Sequence, residues 1–154
     1  MDIGTEGHNW CILQLTLISN THALIINKVE HNPVSIGGLP AWAALFSLRT
    51  HAVRPFKVES NSFCAGGTFL GDGTLINVEN NPMVGVYTST ADFGDLDGLQ
   101  AVRIFEPCPP ASAAHCNIYE NHSRIRMVSH RWYNTVIRIS DGTIMIVSGS
   151  KKGV

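Results

Sequence analysis

The residue types that could do chemistry in this sequence are cysteines, histidines and tyrosines. Its 154 residues include four cysteines and seven histidines. Cys108 and Cys116 flank a short loop that contains His115. In an exported protein this pair favours a disulfide, and closing so short a loop would add about 2–3 kcal/mol of stability. The alternative is a zinc site that also uses His115 or His122, although the pair lacks the close Cys-x-x-Cys type of spacing found in structural zinc sites.

Other reactive residue types carry weaker signals. Asn121-His122-Ser123 is an N-glycosylation sequon, which has meaning only in a secreted protein. Ser129 and His130 are adjacent in sequence, but a nucleophile and its base depend on spatial adjacency, so this pair predicts no hydrolase site. His22 and His51 are predicted to be surface or hydrogen-bonded residues rather than metal ligands.

Composition excludes several classes of partner. Charged residues make up 15% of the chain, the net charge is −1, and the only basic cluster is Lys151-Lys152. This distribution lacks the electrostatic footprint of a nucleic-acid binder or of a protein that binds anionic membranes. No apolar run approaches the roughly 18 residues of a membrane span. Residues 1–10 are polar, lack the basic start of a secretory signal, and are predicted to be disordered.

Strand signals dominate the chain and predict an all-β protein built of antiparallel hairpins. Short strands are predicted at residues 11–18, 22–27, 42–48 and 101–105. Two clearer hairpins, over residues 64–78 and 133–147, turn at Asp-Gly sequences. Asp-Gly between β-rich runs is a strong hairpin signal, because the turn needs positive φ angles.

The two Asp-Gly hairpins are copies of one unit. A shift of 69 residues places Cys64 on Tyr133 and Val78 on Val147. A repeated β-unit predicts the blades of a propeller, which are four-stranded sheets arranged around a central channel. Equivalent positions in adjacent blades lie side by side, so Cys64 and Tyr133 are predicted to be neighbours at one end of the channel. The alternative is a coincidental similarity between two Asp-Gly hairpins.

These segments resemble the fungal copper radical oxidases, specifically glyoxal oxidase, which are galactose-oxidase-like enzymes. The resemblance extends over nearly the whole chain from about Leu13, and its most specific motifs are Phe63-Cys64-Ala65-Gly66 and Arg131-Trp132-Tyr133. Shorter matching stretches are residues 28–33, 40–42, 97–100, 126–127 and 149–153. The resemblance implies that residues 1–154 are part of a glyoxal oxidase N-terminal domain, with about two blades of a kelch-like seven-bladed β-propeller.

The resemblance also implies roles for two residues. In that family the cysteine and the tyrosine of these motifs join in a thioether, so Cys64 would be the cross-linking cysteine. Tyr133 would be an equatorial copper ligand and the seat of a radical, and copper and this Tyr-Cys radical would be the cofactors. A phenolate can lose one electron, a sulfur substituent eases that loss, and Cu(II), which favours N and O ligands, accepts the second electron. The implied reaction converts a small aldehyde and O2 to a carboxylic acid and hydrogen peroxide outside the cell.

The sequence departs from the family pattern in ways that bear on function. It contains no Tyr-His pair, which the family uses for an axial tyrosine and a neighbouring histidine ligand. Glu79-Asn80-Asn81 replaces a Gly-Gly that normally follows the first hairpin, which predicts looser packing there because Gly allows closer backbone approach. We therefore expect a fragment that is inactive by itself.

The alternative is a non-catalytic β-repeat module, a binding or structural protein that pairs with another chain. In either case the chain offers open blade faces, and exposed apolar faces and unpaired strand edges promote self-association.

Overall fold

The computed structural model describes residues 12–27, 34–62, 64–79, 98–109 and 115–150, which contain twelve β-strands and no α-helix. The strands are β1 (Ile12–Leu17), β2 (His22–Asn27), β3 (Ser35–Ile36), β4 (Leu39–Pro40), β5 (Ala43–Ser47), β6 (Val53–Phe56), β7 (Gly66–Phe69), β8 (Leu75–Val78), β9 (Val102–Phe105), β10 (Ile118–Glu120), β11 (Trp132–Arg138) and β12 (Ile144–Ser150). These ranges hold no helix that is long and apolar enough to cross a membrane. The disorder predicted for residues 1–10 lies outside the described residues.

Eight of these strands form two four-stranded antiparallel sheets. Their orders are β1-β2-β5-β6 and β10-β9-β8-β7, and the hairpin β11-β12 and the short ribbon β3-β4 complete the described strands. Four-stranded antiparallel sheets that succeed one another along the chain are the arrangement of propeller blades. The prediction of an all-β fold with antiparallel hairpins is therefore confirmed, while the number of blades stays a prediction.

Four strands are missing from the sequence prediction, namely β3 and β4 of the short ribbon and the edge strands β6 and β10. Both β6 and β10 are the last strands of their sheets, and both are short. Pro55 lies within β6, and a proline in a run argues against a central strand but is tolerated at a sheet edge. The central strands carry clearer apolar patterns, and they lie where the sequence predicts them to within one or two residues.

The 69-residue repeat is visible in the backbone. Three pairs of equivalent positions share a left-handed conformation: Cys64 (φ 67°) and Tyr133 (φ 59°), Gly73 (φ 90°) and Gly142 (φ 86°), and Glu79 (φ 71°) and Ser148 (φ 64°). Non-glycine residues adopt positive φ uncommonly. Two hairpins that share it at matching non-glycine positions are built alike, which supports the interpretation that they are copies of one structural unit.

The Asp-Gly turns of the two copies are also built alike. The Asp72 carboxylate accepts a hydrogen bond from the Thr74 amide at 2.9 Å, and the Asp141 carboxylate accepts one from the Thr143 amide at 2.9 Å. These backbone hydrogen bonds lower the pKa of both aspartates, because they stabilise the charged carboxylate. The same turn chemistry thus closes both hairpins.

The sheet β7–β10 is buried on both faces. Leu75 and Phe105 point toward the first sheet, where the rings of Phe105 and Phe56 pack edge to face with their centroids 5.7 Å apart. Ile76 and Val78 point the other way and pack with side chains of the β11-β12 hairpin. Alternate residues of one strand therefore serve two different cores, as expected for a sheet that lies between two others.

A buried ion pair lies in the same sheet. The Nε of Arg103 on β9 is 3.3 Å from Oε1 of Glu120 on β10, and both side chains are almost fully buried. The Ser60 hydroxyl lies between them, since it donates to Glu120 Oε1 and accepts from Arg103 Nη2. Glu120 Oε2 accepts a further hydrogen bond from the Glu59 amide at 2.7 Å, and His122 Nε2 lies 3.0 Å from Oε1.

The same arginine binds the backbone on either side of the first hairpin. Arg103 Nη2 donates to the Asn61 carbonyl at 2.9 Å, and Nη1 donates to the Glu79 carbonyl at 3.3 Å and to Asn77 Oδ1 at 3.1 Å. Asn77 in turn donates from Nδ2 to Gln14 on β1 at 2.8 Å. Arg103 therefore fixes both the segment before the first hairpin, which contains Asn61, and Glu79, the residue that follows β8.

Glu120 makes folding stability depend on pH. Burial alone would raise its pKa, but the charge of Arg103 and the hydrogen bonds from Ser60, the Glu59 amide and His122 hold the pKa of Glu120 below its ordinary value. Around these pH values the unfolded chain therefore binds more protons than the folded chain. The contribution of Glu120 to the free energy of unfolding is present above a pH of about 4.3 and is lost as the pH falls through the folded-state pKa.

Glu120→Gln is expected to lower the free energy of unfolding by about 3–5 kcal/mol near neutral pH, because it leaves the charge of Arg103 buried without its partner. The difference in the free energy of unfolding between Glu120→Gln and wild type should decrease as the pH falls below the ordinary glutamate pKa. Urea unfolding followed by circular dichroism at neutral and acid pH measures both effects. Glu106→Gln changes an exposed carboxylate and is the control. Equal losses in the two variants would contradict the role of the ion pair.

Candidate functional site

Cys64 and Tyr133 are neighbours, as the repeat predicts. Cys64 Sγ lies 4.0 Å from the phenol oxygen of Tyr133. Cys64 stands two residues before β7, and Tyr133 is the second residue of β11, so both lie where an equivalent strand begins. Cys64 is half-buried and Tyr133 is 59% exposed. The thiol therefore approaches a phenol that is exposed to solvent.

The close approach of β7 and β11 depends on a glycine. A Cβ atom on Gly66 would lie 2.9 Å from Asn134 Oδ1 and 3.1 Å from Val136 Cγ2. At the opposite ends of the strands the two turns meet, where the Gly71 amide donates to the Gly142 carbonyl at 2.9 Å. The hairpins are thus held together at both ends, and the spacing leaves no room for a side chain at Gly66.

Glu79 connects the first hairpin to Tyr133. Its side chain is fully buried, and Oε2 accepts a hydrogen bond from the Asn134 amide at 2.8 Å. Burial raises the pKa of Glu79, while the amides of Asn134 and Tyr133 act in the opposite direction. The carboxylate therefore binds the backbone at the residue that follows the phenol-bearing Tyr133.

The prediction of looser packing in this segment is wrong at Glu79. Glu79 has a left-handed backbone, which a glycine would adopt more easily, and its side chain packs inward against β11. The physical reason is that the hydrogen bond to the Asn134 amide satisfies a backbone group that would otherwise be buried without a partner. Asn80 and Asn81 lie outside the described residues.

Glu79→Ala is expected to lower the free energy of unfolding by about 1–3 kcal/mol, because it leaves a buried backbone amide without its acceptor. Glu79→Gly loses the same acceptor but relieves the left-handed strain, so it should be more stable than the alanine variant by about 1 kcal/mol. Chemical denaturation of both variants beside the wild type provides the comparison. An alanine variant as stable as wild type would show that the Asn134 contact contributes nothing.

The surroundings of Tyr133 favour its neutral form. The contact with Cys64 raises the pKa of Tyr133 above its ordinary value, and the charge of Glu79 acts in the same direction. The ring centroid of Trp132 lies 4.4 Å from that of Tyr133, with the planes tilted by 30°. Without a cation beside it, the phenol is therefore protonated at neutral pH and one indole lies against it.

The donor groups at this place are one phenol and one thiol. Copper(II) favours tetragonal coordination by several N and O ligands. Across the described ranges there is no group of three or more His, Cys, Asp or Glu side chains that could hold a metal ion. Tyr133 is suited to be one copper ligand, but the described residues do not fit a complete copper site.

Two histidines outside this site have structural contacts. His22 Nδ1 lies 3.0 Å from the Thr21 hydroxyl, and the His51 ring stacks on Phe46 with centroids 6.0 Å apart. His122 contacts Glu120, as described above. These contacts agree with the structural roles predicted for His22 and His51.

The structure pairs Cys108 with Cys116 in a disulfide whose Cα atoms are 5.9 Å apart. The pairing uses both sulfurs, so neither is left as a thiolate ligand for the alternative zinc site. Arg54 on β6 donates from Nη2 to the Cys116 carbonyl, and its guanidinium lies over the Phe56 ring, 4.4 Å from the centroid. The disulfide segment is thereby attached to the neighbouring sheet.

Comparison with known proteins identifies the family. The model of the glyoxal oxidase N-terminus family matches residues 27–153, and the chain belongs to that family. One relative is the aldehyde oxidase GLOX of the plant Vitis pseudoreticulata, which is 31% identical over 109 residues. The match covers 71% of this chain but 18% of the relative, so the chain spans less than a fifth of the relative's length. No solved structure matches. The fungal part of the sequence resemblance stays a prediction.

Proposed function

We propose that this chain is a piece of a glyoxal-oxidase-like copper radical oxidase in which Cys64 and Tyr133 form the redox-active pair. The observation that carries the proposal is the 4.0 Å approach of Cys64 Sγ to the Tyr133 phenol oxygen in a chain of this family. The parent enzyme would convert a small aldehyde, O2 and water to a carboxylic acid and hydrogen peroxide. The disulfide between Cys108 and Cys116 supports an extracellular location, because disulfides persist in oxidising compartments.

The chemistry proposed for the pair is a thioether cross-link. A carbon–sulfur bond would form between Cys64 Sγ and the ring carbon next to the hydroxyl-bearing carbon of Tyr133. The S–H and C–H bonds break, and the two hydrogen atoms and their electrons pass to O2, which is reduced to hydrogen peroxide. The half-buried thiol already lies beside the phenol end of the ring. The two side chains that the cross-link would join are thus already brought together by β7 and β11.

Copper, when bound, would supply the second one-electron acceptor of a two-electron oxidation and the catalyst for the cross-link. Tyr133 is the residue of this chain that we propose as a ligand, and Trp132 would shield its ring. Histidine ligands that match the family's motifs are not found in this sequence. We therefore propose that the chain alone is inactive.

Purified chain loaded with Cu(II) is expected to release no hydrogen peroxide above background when methylglyoxal is supplied. The reason is that one phenolate cannot hold Cu(II) in a fixed tetragonal site. A coupled peroxidase assay measures the release, and Tyr133→Phe is the matched control because it removes only the ligand oxygen. Peroxide release that requires copper and disappears in Tyr133→Phe would overturn the proposed inactivity.

A second candidate function is a non-catalytic module that pairs with another chain, and exposed apolar side chains favour it. Leu15 and Leu17 on β1 are 57% and 63% exposed, and Ile137 and Met145 on the β11-β12 hairpin are exposed as well. These side chains lie on the first and the last units of the described fold. Exposed apolar patches can mark sites of association.

The purified chain is expected to self-associate, because no layer among the described residues covers these faces and few charges oppose contact. Sedimentation velocity over a wide concentration range measures the effect. Leu17→Lys should shift the distribution toward monomer, whereas Arg49→Lys, an exposed change that keeps the charge, should leave it unaltered. A wild-type chain that remains monomeric at high concentration would contradict this proposal.

A further inference from the structure

A turn at the end of β10 contains the sequence Asn121-His122-Ser123. It is the only Asn-x-Ser/Thr sequence in the chain. The amides of Arg124 and Ile125 donate to the Asn121 carbonyl at 3.0 and 2.8 Å, which closes the turn. The side chain of His122 reaches Glu120 Oε1 at 3.0 Å and anchors the turn to the buried ion pair. The motif is therefore presented in one defined conformation.

Within this turn the Asn121 side chain is oriented by Ser123. Asn121 Oδ1 accepts hydrogen bonds from the Ser123 amide at 3.1 Å and from the Ser123 hydroxyl at 2.7 Å. In the described part of the chain, Asn121 Nδ2 has no hydrogen-bond partner. Ser123 and Arg124 are exposed, and Asn121 is partly exposed. The amide nitrogen is thus the unengaged end of a side chain whose oxygen is fully bonded.

The disulfide between Cys108 and Cys116 gives independent evidence about the cellular compartment of the protein. Cys116 lies two residues before β10, and its bond to Cys108 belongs to the same segment of the protein. Disulfides form in the lumen of the endoplasmic reticulum, which is also the compartment in which N-glycosylation sequons are modified. The oxidised cysteine pair and the accessible sequon therefore point to the same environment.

We infer that Asn121 carries an N-linked glycan. The modification joins Asn121 Nδ2 to C1 of an oligosaccharide supplied by a lipid-linked diphosphate donor. The bond from C1 to the diphosphate oxygen breaks, the lipid diphosphate leaves with the electron pair, and Nδ2 loses one proton. No oxidant or reductant takes part. The inference does not depend on the proposed oxidase function, because it uses neither Cys64 nor Tyr133.

The position of the glycan has a structural consequence. β10 is an edge strand of its sheet, and β7, which follows Cys64, is the opposite edge. With strands about 4.8 Å apart, three spacings separate the two edges by roughly 14 Å. A glycan at Asn121 would cover the edge of β10, which has no further strand partner among the described residues and carries exposed Tyr119, and its attachment point would lie across the sheet from Cys64. Covering an edge strand prevents pairing with another chain.

The test is to direct the full chain into the secretory pathway of a eukaryotic host with a cleavable leader. Chain from both the medium and the cells is then analysed by intact mass spectrometry before and after treatment with peptide N-glycosidase. We expect one glycan on the wild type, located at Asn121 by peptide mapping, and none on Asn121→Gln. Asn117→Gln, an exposed change outside the sequon, should keep the glycan.

Two further variants keep the test decisive where Asn121→Gln disturbs the turn. Ser123→Ala retains the asparagine but removes the hydroxyl that the sequon requires, so it should lose the glycan. Ser123→Thr retains a hydroxyl and should keep it. Wild-type chain without glycan in both medium and cells would overturn the inference, and so would a glycan that persists in both Asn121→Gln and Ser123→Ala.

Discussion

The buried ion pair between Arg103 and Glu120 is the interaction on which the rest of this structure depends. A charge removed from water is tolerated only when its partners surround it. The partners of Arg103 are carboxylate, hydroxyl and carbonyl oxygens, including the Asn61 and Glu79 carbonyls on the two sides of the first hairpin. The hydrogen bonds of the Arg103 guanidinium therefore fix the backbone that precedes Cys64. They also fix Glu79, whose carboxylate accepts a hydrogen bond from the Asn134 amide next to Tyr133.

Backbone strain is concentrated at the same positions. Cys64, Glu79 and Tyr133 all have positive φ angles, a conformation that costs on the order of 1–3 kcal/mol at a non-glycine residue. Such strain persists only where surrounding contacts enforce it. At Tyr133 the contacts are the hydrogen bond from the next residue's amide to Glu79 and the close approach of Gly66 to Asn134. Cys64 and Tyr133 are therefore held by neighbouring residues in a backbone conformation that is unfavourable for non-glycine residues.

The sequence predicts the hairpins and the meeting of Cys64 with Tyr133, because Asp-Gly turns and a fixed repeat are local, readable patterns. It does not predict that Arg103 and Glu120 pair, since nothing local distinguishes a buried charge from a surface charge. The sequence resemblance predicts looser packing at Glu79, whereas in the structure the Glu79 carboxylate is buried and accepts a hydrogen bond from the Asn134 amide. The edge strand β6 is concealed by Pro55, which is compatible with an edge but not with a central strand.

Some faces of this fold are covered by its own strands, and others are exposed to solvent. The sheet β7–β10 is covered on both faces, and the Cys64–Tyr133 contact lies between that sheet and the β11-β12 hairpin. The contacts that Gly66 and Glu79 make with Asn134 set the geometry of the Cys64–Tyr133 pair, and they come from residues of this chain. The apolar side chains of β1 and of the outer hairpin lack such a covering layer among the described residues. A thiol and a phenol can therefore be aligned by two successive hairpins, whereas a tetragonal copper site needs ligands that these hairpins do not bring together.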